Sequence, residues 1–101
     1  YSSRIIGLGH YVPDNIVTND DLSKLMDTND AWITERTGIK ERRIIKKNSG
    51  EGTATMGVKA AEMALERSGI GKEDIDLIIF ATLSPDLYFP GSVVRNSLYL
   101  I

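Results

Sequence analysis

Thr28, Trp32 and Arg36 recur at i, i+4 and i+8 within Thr28-Asn29-Asp30-Ala31-Trp32-Ile33-Thr34-Glu35-Arg36-Thr37-Gly38-Ile39. On a helix that spacing sets a hydroxyl, an indole and a guanidinium along one stripe. Such a trio can stack on a planar base and hold a phosphate. The same residues also allow a purely structural account, in which Trp32 packs inward and Arg36 covers its ring as a cation–π pair. Residue chemistry alone leaves both open. The helix itself is written at both ends. Thr28 or Asn29 can accept from free amides of the first turn, Asp30 suits the positive end of the dipole, and Gly38 can take the left-handed closing conformation.

Other groups offer less. The chain has no cysteine, which excludes disulfides, thiolate metal sites and a cysteine nucleophile within it. Its single histidine, His10, has no carboxylate or nucleophile placed beside it by local spacing and reads as structural or surface. Neither a metal site nor a catalytic residue is assigned. Asp20 and Asp21 follow Thr18 and Asn19 and read as capping, solvated carboxylates. Lys40, Arg42, Arg43, Lys46 and Lys47 lie just beyond Arg36. They can form an anion-attracting rim; a solvated edge strand protected by lysines is the competing account. Gly7 and Gly9 are two residues apart, but Val12 stands where a dinucleotide fingerprint needs its third glycine, and Pro13-Asp14 turns the chain.

Composition narrows the class. Among 101 residues, 42% are hydrophobic and 26% charged, which argues for a folded domain and against disorder. A formal charge of −2 offers no electrostatic case for nucleic acid. No apolar run approaches the ~18 residues of a membrane span, and no signal-peptide pattern opens the sequence. A reduced, cytoplasmic setting is the expectation.

The elements that must position these groups alternate in type. Residues 3–11 read as a strand in which Gly7 and Gly9 mark close approach by another backbone. Thr18-Asn19-Asp20-Asp21 opens a helix near 19–26, with Leu22, Leu25 and Met26 at helical spacing. The Trp32 helix follows near 30–36, then a strand near 39–45. The longest helix is expected near 53–68, opened by Thr53 or Thr55 and closed by Gly69, with Met56, Ala60, Met63, Ala64 and Leu65 inward and Lys59, Glu62, Glu66 and Arg67 in water. Leu77-Ile78-Ile79-Phe80-Ala81 reads as a strand over 76–82 buried on both faces. A final helix is expected near 92–99. The pattern is that of an α/β domain with a central sheet flanked by helices. Three strands cannot easily cover both faces of 77–81, so the chain reads as a partial domain over 1–101, with missing neighbours from more chain or another subunit.

Several blocks together resemble a known family. They are Ile5-Ile6-Gly7-Leu8-Gly9-His10-Tyr11-Val12-Pro13, Thr18-Asn19-Asp20-Asp21-Leu22, Asp27 through Arg42, Asp74 through Thr82, and Phe89-Pro90. The Asp27–Arg42 block is specific; the others are weak singly. The set is similar to the amino-terminal part of β-ketoacyl-acyl carrier protein synthase III, of the thiolase-like superfamily, and spans nearly the whole chain. The pattern departs after Val94, where Arg95-Asn96-Ser97-Leu98-Tyr99-Leu100-Ile101 replaces a Gln-containing helix ending in Leu-Gly.

The resemblance implies an acyltransferase that condenses an acyl group from coenzyme A with malonyl-acyl carrier protein and releases carbon dioxide. The family's catalytic cysteine, histidine and asparagine fall beyond residue 101, so this stretch alone is expected to be inactive. Coenzyme A is implied as a substrate, with no tightly bound cofactor. By the same resemblance Trp32 stacks on the adenine, Thr28 hydrogen-bonds near its edge, and Arg36 and Thr37 reach the phosphate or pantetheine part. The second wall of that adenine site lies outside this stretch, so binding by it alone should be weak. Phe89 matches a residue that enters the partner subunit's acyl pocket, which implies a homodimer. The competing class is a non-catalytic, self-associating α/β module that binds an acyl carrier or a nucleotide-bearing ligand.

Overall fold

In the computed structural model, which describes residues 1–89 and 91, the described chain divides into two compact units, Val12–Ser49 and Tyr1–Tyr11 with the described residues from Gly50. Val12–Ser49 contains β1 (Ile16–Thr18), α1 (Asn19–Ser23), α2 (Asp30–Thr37) and β2 (Glu41–Arg43). The other unit contains α3 (Thr53–Ser68) and a single 3₁₀ turn, Lys72–Asp74.

In Val12–Ser49, β1 and β2 pair antiparallel with Ile16 opposite Arg43, Val17 opposite Arg42 and Thr18 opposite Glu41. The expected strand over 39–45 is thus confined to Glu41–Arg43, and its partner, Ile16–Thr18, is an element the sequence pattern missed. Thr18 then caps α1. Its hydroxyl accepts from the Asp21 amide at 3.2 Å, and the Asp21 carboxylate accepts from the Thr18 amide at 3.0 Å, closing a reciprocal box. Hydrogen bonding from Lys24, then from Thr18, lowers the Asp21 carboxyl from 3.8 to about 2. The helix stops at Ser23 instead of 26. Leu25 and Met26 are exposed, so no packing holds the last turn in place.

In the other unit α3 has the predicted bounds, Thr53–Ser68, and ends at Gly69. The predicted inner residues Met56, Ala60, Met63, Ala64 and Leu65 are half-buried, while Lys59, Glu62, Glu66 and Arg67 are exposed. The close backbone approach predicted for Gly7 and Gly9 is made by this helix. A Cβ on Gly9 would collide with the Ala60 carbonyl and stand 2.6 Å from the Ala64 amide nitrogen. The amino end of α3 is capped from far along the chain: the two Asp86 carboxylate oxygens accept from the Thr53 and Ala54 amides, each at 2.7 Å. At its flank the Lys59 ammonium lies 4.2 Å from the Tyr11 ring centroid and 3.0 Å from the Glu51 carboxylate, to which the Tyr11 hydroxyl also donates.

Two strand expectations fail here. Neither 3–11 nor 76–82 forms a ladder; among the described residues the one sheet is β1–β2. Over 77–82 exposure alternates: Ile78, Phe80 and Thr82 are half-buried, whereas Leu77 (75%) and Ile79 (84%) are open. The segment is therefore covered on one face, not two. β-branched composition specifies an extended chain, but a strand also needs a hydrogen-bonding neighbour. The helix expected near 92–99 lies outside the described residues.

Candidate functional site

The α2 helix is set by its caps. The Asn29 side-chain oxygen accepts from the Trp32 amide at 2.8 Å, and Gly38 closes the helix at φ 70°, with its amide donating to the Thr34 carbonyl at 2.9 Å. Of the two cap candidates, Asn29 serves. Thr28 therefore precedes the helix instead of heading its stripe, while Trp32 and Arg36 remain one turn apart on it. Ile33 is the buried residue of α2, and Asp30 and Thr34 lie on the side away from Trp32 and Arg36.

The Arg36 guanidinium carbon stands 4.4 Å from the Trp32 ring centroid. The cation–π pair of the structural account is present, but its other half is not: Trp32 is 52% exposed and does not pack inward. An indole lost to the core would be covered. This one keeps surface for a second flat group while a cation holds its ring. The Thr28 hydroxyl oxygen is buried and has no hydrogen-bond partner among the described residues, an unfilled bonding capacity close to the helix start. Thr37 is more committed than expected. Its hydroxyl donates to the Ile33 carbonyl at 2.8 Å and accepts from the Ile39 amide at 3.1 Å, leaving it one acceptor site.

The cationic rim is thinner than the sequence allows. Arg42 donates to the Asn19 side-chain oxygen at 2.7 Å and the Val17 carbonyl at 3.3 Å; Arg43 donates to the Pro13 and Asp14 carbonyls at 3.3 and 3.4 Å. Both guanidiniums are tied to their own unit. Lys40, Lys46 and Lys47 remain exposed. Phe89 belongs to the other unit and is 91% exposed. His10 is also exposed there.

Beneath α2 lies a residue that sequence reasoning read only as part of a helix start. Asn19 is 1% exposed. Its amide nitrogen donates to the Asp30 carboxylate at 2.7 Å and the Ile39 carbonyl at 2.8 Å, and its oxygen accepts from Arg42. Hydrogen bonds from Asn19 first, and Thr34 second, lower the Asp30 carboxyl below its usual range. The only local sign was that Thr18 and Asp21 complete the capping box unaided, leaving the Asn19 side chain free for something else.

No protein-family profile matches the chain. Curated relatives do. The chain is 54% identical over 92 residues to β-ketoacyl-[acyl-carrier-protein] synthase III of Clostridium novyi, covering 91% of this chain and 28% of that protein. It is 58% identical over 90 residues to the protein of the same name from Clostridium acetobutylicum, covering 89% of this chain and 27% of that one. The crystal structure of 3-oxoacyl-[acyl-carrier-protein] synthase III from Aquifex aeolicus superposes with a TM-score of 0.91 at 46% identity, covering 98% of this chain and 31% of that chain. The chain thus spans just over a quarter of the length of the curated relatives it matches. In sequence and in thiolase-like α/β fold, the chain matches the amino-terminal part of the β-ketoacyl-[acyl-carrier-protein] synthase III family.

Proposed function

We propose that the chain supplies the coenzyme A-recognising face of an acyl-condensing enzyme that joins an acyl group from coenzyme A to malonyl-acyl carrier protein at the start of fatty acid synthesis. One observation carries this reading: an indole left 52% exposed on a doubly capped helix, with a guanidinium 4.4 Å from its centroid. The adenine stacks on the uncovered Trp32 surface, Arg36 meets phosphate, and the Thr28 hydroxyl, buried without a partner among the described residues, turns outward to bond near the adenine edge. Thr37 uses its remaining acceptor site on the pantetheine side. Coenzyme A is substrate, not resident cofactor. Condensation requires a thiolate, and this sequence contains no cysteine, so the chain by itself forms no acyl-enzyme. Both units belong to one partial thiolase-like domain over 1–101, working in the cytoplasm. Among the described residues, no helix is long and apolar enough to cross a membrane.

In a full-length synthase carrying this amino-terminal sequence, Trp32→Ala should weaken coenzyme A binding by about 1–3 kcal/mol, the worth of base stacking on an aromatic ring. Arg36→Ala should weaken it as well, with thermal stability changing less than affinity. A Trp32→Ala protein that loses its fold yet keeps its affinity per folded molecule would return the residue to a packing role.

Self-association accompanies this reading. Leu77 and Ile79 are open beside an apolar groove of about 340 Å³ against Ala61, Ala64 and Leu65 of α3, and exposed apolar surface of this kind is covered by a partner. The partner is a second copy, and in the full-length enzyme Phe89 reaches across to that copy's acyl pocket. Sedimentation across a concentration range should show a dimer or larger species; a folded monomer at high micromolar concentration would refute it.

A further inference from the structure

We infer that Asn19 is the positioning residue of the Trp32–Arg36 face: one buried amide clamps α2 at both of its ends and so sets where the indole and guanidinium point. This rests on the coenzyme reading above for its consequence, but not for its geometry. Among the described residues Asn19 makes no hydrogen bond to Trp32 or Arg36. Its Nδ2 donates to Asp30, the first residue of α2, at 2.7 Å and to the carbonyl of Ile39, just past the Gly38 cap, at 2.8 Å. Its Oδ1 accepts from Arg42 of β2 at 2.7 Å, and its backbone amide donates to the Lys40 carbonyl at 3.1 Å. Thr34, midway along α2, donates to the same Asp30 oxygen at 3.1 Å. The start of α2, the chain leaving it and the β1–β2 ribbon therefore meet at one side chain.

The chemistry of the position is narrow. It needs two donors in one direction and an acceptor in another, at nearly zero exposure, and only a carboxamide supplies that set. Aspartate would keep the acceptor for Arg42, lose both donors and confront the Asp30 carboxylate. Alanine would leave the Asp30 oxygen, the Ile39 carbonyl and an Arg42 donor without their partner. With its two ends held at a single point, α2 cannot roll about its axis or slide without breaking these bonds. The face on its outer side inherits that rigidity, which keeps the ligand from having to order the helix when it binds.

Trp32 is the sole tryptophan, so its emission reports this face directly. The test compares the wild-type chain with Asn19→Asp, Asp30→Asn and the swap Asn19→Asp/Asp30→Asn, which restores an amide–carboxylate bond in the opposite sense. Circular dichroism establishes folding, acrylamide quenching and anisotropy report Trp32, and coenzyme A is the titrant. Asn19→Asp should raise quenching, lower anisotropy and weaken coenzyme A binding about fivefold, the loss of roughly one net hydrogen bond. The swap should recover much of each signal, which a generally loosened fold would not do. A folded Asn19→Asp chain with wild-type quenching and affinity, or a swap no better than Asn19→Asp, would overturn the assignment. Should Asn19→Asp unfold, Arg42→Met removes the donor to Asn19 Oδ1, together with that to the Val17 carbonyl; raised quenching supports the inference and unchanged quenching overturns it. A wild-type chain that shows no response to coenzyme A defeats the functional reading alone, because the quenching comparison still decides the positioning.

Discussion

Val12–Ser49 and the unit built on α3 contain similar material but are finished to different degrees. In Val12–Ser49 short elements close on themselves: Thr18 with Asp21, Asn29 with Trp32, and Asn19 with Asp30, Ile39 and Arg42. Its buried residues are Pro13, Asn19 and Ile33. The α3 unit has the longer helix and more apolar sequence, yet Leu77 and Ile79 stay open and its extended segments find no ladder among the described residues. The lesson concerns range. Caps and a polar node need residues within about thirty positions, which this chain contains. A layered sheet needs neighbours for every extended segment.

The largest expected difference between the two units is at Gly9. Gly9→Ala places a methyl against backbone atoms of Ala60 and Ala64, which cannot yield as a side chain would. It should destabilise the α3 unit by about 3 kcal/mol, the upper end of ordinary overpacking. Amide exchange should rise along α3 while Val12–Ser49 keeps its protection; equal loss in both would show that they fold as one cooperative body.

A smaller effect sets a remote cap against a local one. Asp86→Ala removes the carboxylate that holds the Thr53 and Ala54 amides, and Asn29→Ala removes the oxygen that holds the Trp32 amide. Each should cost about 1 kcal/mol, within the usual range for caps. Asp86→Ala should fray α3 alone and Asn29→Ala α2 alone, as read by residue-resolved exchange. Should Asp86→Ala leave α3 unchanged, the long-range cap is not a stabilising contact.

The smallest effect is a pH dependence inside Val12–Ser49. Asp21 is lowered from 3.8 to about 2 by Lys24 and Thr18, so its folded form favours the carboxylate. Its contribution is present above pH ~4 and is lost as pH falls from there toward 2. Asp21→Asn should lower stability modestly at neutral pH and flatten this acid limb. An unchanged acid limb in that variant would mean that the carboxylate is not what titrates.

The same contrast explains what the sequence made legible. The helix expected near 53–68 and closed by Gly69 was legible because a long amphipathic helix carries its period locally, although its amino-terminal cap residue is Gly52 and neither Thr53 nor Thr55. Thr18-Asn19-Asp20-Asp21 and Asn29 through Gly38 were readable for the same reason. Residues 3–11 and 76–82 were not, since composition reports extension but not pairing. Ile16–Thr18 was too short to show alternation, and Asp86 caps a helix 32–33 residues earlier, a link without local trace. In the site, spacing alone brought Trp32 and Arg36 together correctly, whereas Thr28 fell outside the helix because Asn29 took the cap. Thr37 is bound to its own backbone for the same local reason: its hydroxyl closes the last turn.

We propose that the Trp32–Arg36 face receives the nucleotide end of coenzyme A. The most direct measurement follows the emission of Trp32, the chain's single tryptophan, during parallel titrations with coenzyme A and with its analogue lacking the 3′-phosphate. Saturable quenching by both, tighter for coenzyme A, with the difference abolished by Arg36→Ala, is the predicted result. Emission that does not change with either ligand, or an equal response to both that Arg36→Ala leaves intact, would contradict it.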